Sequence, residues 1–197
     1  MKNRYILGLT IGALWLTAAS AGFGTWALVA IGTPLSYAAL AVLLLVAAAL
    51  LVTGASAVQA LGRSRGGFGQ NSAEGRAIGR RFGWVVATEL VGIAVVTAWC
   101  IHARRFEWIA PLDIIVVGLH FFPLARIFGV PRYSGMAALF CAIALVALWA
   151  IPGSTHLGGA PALAAVPSLG ANLVALLTAL AGLGEARRFI AAAAQPA

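Results

Sequence analysis

Six long apolar runs, separated by short polar or proline-bearing breaks, organise this chain. They cover residues 5–31, 35–61, 82–103, 112–128, 134–151 and 162–184. A crossing of the hydrocarbon core takes about 20 residues of helix, with about 17 as the lower limit and more where the helix tilts, and all six runs are long enough. Backbone amides in lipid must be satisfied within their own segment, so each run is read as a helix. The predicted fold class is therefore all-α: a polytopic transmembrane bundle of about six spans, forming one domain over 1–197. Pro34 ends the first run. The one long polar connection, 62–81, holds five arginines and Glu74 among several glycines, and is read as a basic cytoplasmic loop.

Composition rules out the soluble alternative. Residues are 62% hydrophobic and 9% charged, against about 45–50% and about 25% in soluble domains. A soluble globule of this length leaves too much of itself facing water to hide that much apolar surface.

Charge adds an orientation. The net charge is +8, and twelve of the 13 basic residues are arginine. With the N-terminus inside, Lys2, Arg4, Arg63, Arg65, Arg76, Arg80, Arg81, Arg126, Arg132, Arg187 and Arg188 all fall on the cytoplasmic side. Only Arg104 and Arg105 fall outside, so both termini are expected in the cytoplasm. Aromatics divide the same way. Trp26, Tyr37, Trp99, Trp108 and Trp149 are expected at the outer interface, and Tyr5, Trp84 and Tyr133 at the inner one. No basic stripe interleaves with aromatics outside the spans, so nucleic acid is not an expected partner. Anionic lipid headgroups on the cytoplasmic side are.

The start of the chain also resembles a cleavable signal peptide, with Lys2 and Arg4, an apolar core and Ala19-Ser20-Ala21. Its apolar run continues to Ile31, which favours an uncleaved first span. Six spans divide into two halves of three, as in transporters with inverted repeats, but the halves share no residue pattern. Cys100 and Cys141 are read as small apolar fillers about 10 Å apart in depth, too far for a disulfide.

Chemistry, if any, belongs to the polar groups inside the spans, because ionisable residues there usually face a bundle interior or a water-filled cavity. Glu89 lies on the third span and Asp113 and His120 on the fourth. Glu89 reads either as a proton-exchanging or cation-binding carboxylate, or as a polar pin between helices. Asp113 and His120 are seven residues apart and share a face; Asp113, close behind Pro111, also suits a helix start. Pro123 should kink the fourth span beside His120, and Gly118 lets a neighbouring backbone approach. Antiparallel packing of the third and fourth spans puts Glu89 and His120 at similar depth, where they can pair to relay protons or hold a polar group of a ligand. Arg126 and Arg132 mark the inner membrane surface or hold a headgroup phosphate. Gly8-x-x-x-Gly12 and Ala171-x-x-x-Ala175-x-x-x-Ala179 permit close helix contacts.

No metal-ligand spacing, phosphate-binding loop, nucleophile elbow or C-x-x-C is present. The expectation is no metal, no cofactor and no catalytic residue.

The segment V-G-L-H-F-F-P-L-A-R-I-F over 117–128, with the Gly129-Val130-Pro131-Arg132 that follows, resembles one in a family of small bacterial polytopic membrane proteins of unassigned function. The resemblance implies a bacterial inner-membrane location and that Gly118, His120 and Pro123 belong together; it carries no activity. Three readings follow: a small transporter-like or ligand-binding protein with a polar pocket at Glu89 and His120, an accessory or structural subunit, or an intramembrane lipid-modifying enzyme with His120 as base. A homo-oligomer is compatible with each.

Overall fold

The computed structural model describes residues 2–63 and 73–193. These form six helices: α1 Lys2–Ile31, α2 Pro34–Arg63, α3 Ala73–His102, α4 Ile109–Phe128, α5 Arg132–Ala150 and α6 Ala162–Ala193. All six are long and apolar enough to cross a membrane, so the predicted all-α bundle is the observed architecture.

The helices extend beyond the apolar runs. The basic connection 62–81 is shorter than expected, since α3 already begins at Ala73 and carries Arg76, Arg80 and Arg81. Arginine is a good helix former, and its long stem lets the charge reach water while the backbone stays helical. The remainder of that connection, 64–72 with Arg65, lies outside the described residues. For the same reason α6 runs on past residue 184 through Glu185, Arg187 and Arg188. The start of α4 includes Pro111 in its first turn, where no helical partner exists for the missing N–H.

The α1–α6 pair is the centre of the bundle. The two run antiparallel, with Tyr5 beside Glu185 at one end and Ser20 beside Asn172 farther along. Leu9, Ala13 and Leu16 of α1 share one buried cluster with the fully buried Ala171, Ala175 and Ala179 of α6. The alanine stripe thus marks a real close contact, because small side chains let two backbones approach. The glycines of α1 serve a different neighbour. A side chain at Gly8 would run into Phe128, and one at Gly12 into the Tyr133 hydroxyl. Tyr133 is buried, not an interface anchor as its position suggested, and donates to the Gly8 carbonyl at 2.8 Å. At the end of the bundle where α1 starts, Glu185 accepts from Tyr5 at 2.6 Å and pairs with Arg132, tying α1, α5 and α6 together.

One element was not expected. His156–Leu157 and Ala160–Pro161 form a two-stranded antiparallel hairpin around Gly158-Gly159. Gly158 adopts φ +61°, and the Gly159 amide donates to the Ile31 carbonyl at 3.1 Å, capping the end of α1. The two cysteines are free, as anticipated.

Helices α2 and α3 lie at the periphery. α2 packs mainly on α1, and α3 mainly on α4. Their outer faces expose Leu35, Leu45 and Val52, and Trp84, Leu90 and Val95. Such a surface is matched to lipid, whose tails are as apolar as leucine.

Candidate functional site

The site starts from the way α3 lies on α4. The two helices are antiparallel: Phe82 meets Phe128 at one end and Trp99 meets Trp108 at the other, with ring centroids 5.9 and 6.4 Å apart. Between those contacts Gly92 faces Val116, whose Cγ1 lies 2.8 Å from where a Cβ on Gly92 would be. That missing side chain lets α3 approach α4 one turn from Glu89. Glu89 then reaches His120, with Oε1 3.3 Å from Nδ1. Both side chains are at least nine-tenths buried, at 5% and 3% exposure. The pairing expected from adjacency and depth is therefore the observed geometry.

The hydrogen bonds fix how the imidazole is used. His120 Nδ1 also lies 2.8 Å from the Val117 carbonyl, one turn back on α4. A carbonyl only accepts, so Nδ1 carries a hydrogen and Nε2 of a neutral ring is an acceptor. That Nε2 has no hydrogen-bond partner among the described residues, and neither has Glu89 Oε2. Buried polar atoms are nearly always paired, so two unpartnered ones in a single contact pair are exceptional.

Glu89 borders a groove of about 320 Å³. Trp15, Ala18, Ala19, Gly22 and Phe23 form its α1 wall, at the spacing of one helical face. Ile93 joins Glu89 on α3, and Val117 of α4 completes the lining. Glu89 is the one ionisable residue in an otherwise apolar cleft. Trp15, Ala18 and Gly22 are exposed at the rim, so the groove opens sideways at the level of the spans.

The remaining candidates are dispersed. Asp113 is two turns from His120, about 10 Å along the axis and beyond hydrogen-bonding reach; its Oδ1 is buried without a partner among the described residues. Gly118 does admit a neighbour, but that neighbour is α5: Cys141 Sγ and the Ala137 carbonyl lie 2.9 and 3.1 Å from its would-be Cβ. Pro123 is exposed, and α4 continues through it to Phe128. Gly118, His120 and Pro123 thus serve three different sides of α4 rather than one site. Arg132 is engaged by Glu185, while Arg126 is exposed. Among the described residues no three of His, Cys, Asp and Glu lie close enough together to hold a metal.

Sequence reasoning missed the α1 wall and Gly92. Trp15 was the available signal, because it lies in mid-span, away from either interface where tryptophan is usually enriched.

Gly92→Val is expected to push α3 away from α4 and separate Glu89 from His120. The cost expected for such overpacking is about 1–3 kcal/mol, read as a lowered melting temperature in detergent. An unchanged melting temperature would mean that α3 is not held at this distance.

No protein-family model, curated protein or solved structure matches the chain.

Proposed function

We propose that this chain is a small ligand-binding membrane protein of the transporter-like kind, with the groove beside Glu89 as its site. The observation that carries the reading is a buried carboxylate oxygen without a partner among the described residues, belonging to the one ionisable residue among those lining an apolar groove. A residue that only pinned two helices together would have its polar atoms satisfied by those helices. Sideways opening lets a ligand enter from the bilayer without crossing a headgroup layer. Arginine distribution supports an orientation with both termini cytoplasmic, and the resemblance of segment 117–128 supports a bacterial inner-membrane location. The exposure of Arg126, like that of Arg80 and Arg187, supports contact with anionic headgroups there.

Purified protein in detergent, melted against a panel of ions, lipids and metabolites, tests the proposal. At least one amphiphile is expected to raise the melting temperature, and Gly22→Leu should remove that effect. Gly22 lines the groove and a Cβ there meets nothing within 4 Å, so the substitution adds bulk at the groove from an unobstructed starting point. If no compound stabilises the protein, or if the stabilisation survives Gly22→Leu, the groove is not a ligand site. The chain would then read as an accessory subunit.

A further inference from the structure

We infer that the groove selects an amphiphile whose polar head is a hydrogen-bond-donating cation: a primary or secondary ammonium on an apolar tail. This deepens, and rests on, the assignment of the groove as a ligand site.

Counting donors and acceptors gives the class of head group. With Glu89 ionised, the Glu89–His120 contact contains one hydrogen, on His120 Nδ1, donated to the Val117 carbonyl, while Glu89 Oε1 lies 3.3 Å from the same nitrogen. Glu89 Oε2, on a residue of the lining, remains a buried acceptor without a partner among the described residues; His120 Nε2 is another, on a residue behind the lining. Along the groove Ala18, Ala19, Gly22, Phe23, Ile93 and Val117 have no side-chain donor. Trp15 has an indole N–H, but it makes no bond to Oε2. The described site is therefore short of donors, and a matching ligand brings them.

Charge narrows the choice further. A carboxylate among apolar groups at membrane depth is costly, and an opposite charge beside it offsets more of that cost than a neutral hydroxyl does. An anionic head would face like charge with no basic residue in the groove to offset it. Trp15 and Phe23 add aromatic faces, which attract cations through the ring quadrupole. A volume of about 320 Å³ is at the small end of the roughly 300–1,000 Å³ range for small-molecule pockets. Together these features fit one ammonium and part of a single tail rather than a two-chain phospholipid.

The test uses the full chain in phosphatidylcholine nanodiscs and three probes with the same twelve-carbon tail: dodecylamine, dodecanol and dodecanoate. Retention of each is measured above that of empty discs. Dodecylamine is expected to bind about ten-fold or more tightly than dodecanol, with dodecanoate at background. Glu89→Gln should bring dodecylamine down to the dodecanol level, and Gly22→Leu should abolish retention of both. Ala18→Phe provides a second groove-filling variant if Gly22→Leu does not fold. If dodecanol or dodecanoate matches dodecylamine, or if Glu89→Gln changes nothing, while a groove-filling variant still blocks binding, the ammonium assignment fails and the groove stands. Retention that no groove-filling variant affects, or no retention of any probe, overturns both.

Discussion

Replacing His120 by leucine is expected to lower the stability of the bundle by about 3 kcal/mol. This value lies near the lower end of the range for breaking a buried ionisable pair, and above the largest value, about 1.7 kcal/mol, found for single interhelical hydrogen bonds in one membrane protein. The larger cost is expected here because the substitution does more than delete a bond. Glu89 has one oxygen 3.3 Å from His120 Nδ1, and the other without a partner among the described residues. Without the imidazole, both oxygens of a residue 5% exposed face apolar groups. The double variant Glu89→Leu/His120→Leu removes the unsatisfied group as well, and is expected to recover most of the loss. Reversible unfolding in mixed micelles measures both variants. A single substitution that costs nothing, or a double variant less stable than the single, would show that the two residues do not interact as described.

The second large effect concerns α1. Gly12→Ala is expected to destabilise by about 1–3 kcal/mol, because the added methyl occupies the place of the Tyr133 hydroxyl in a packed interior. Tyr133→Phe alone should cost about 1 kcal/mol, through loss of the 2.8 Å bond to the Gly8 carbonyl. Combining the two should cost less than their sum, since removing the hydroxyl makes room for the methyl. A double-mutant cycle in the same unfolding assay gives this coupling directly. Strict additivity would mean that Gly12 and Tyr133 are not in contact.

The legible and illegible parts of this structure differ in physical kind. Span positions were legible because proline, glycine and arginine interrupt the apolar runs, and lipid leaves few other backbone solutions. Pairing of Glu89 with His120 was legible because consecutive spans joined by a short connection pack antiparallel. The face each helix buries was far harder to read. In a chain apolar on all sides, hydropathy does not distinguish the side meeting lipid from the side meeting protein. Pro123 and Tyr133 show the consequence: the first is exposed despite its place next to His120, and the second is buried despite its place near a span end. Residue size carries the signal that hydropathy lacks, as Gly8, Gly12, Gly92 and the Ala171–Ala175–Ala179 stripe all lie at helix contacts. The α1 wall of the groove was illegible for a further reason. It joins elements far apart in sequence, and nothing local in residues 15–23 identifies α3 as the opposite wall.

The central claim is that Glu89 lines a groove accessible from the bilayer, and carbodiimide labelling tests it most directly. Dicyclohexylcarbodiimide partitions into lipid and adds to carboxyl groups it can reach there, whereas a water-soluble carbodiimide does not enter the bilayer. Protein in nanodiscs should be modified at Glu89 by the lipid-soluble reagent and spared by the water-soluble one, as read by mass spectrometry of the peptide. Gly22→Leu should suppress that modification. Glu89 left unmodified by the lipid-soluble reagent, or modified equally in the Gly22→Leu variant, would contradict the account.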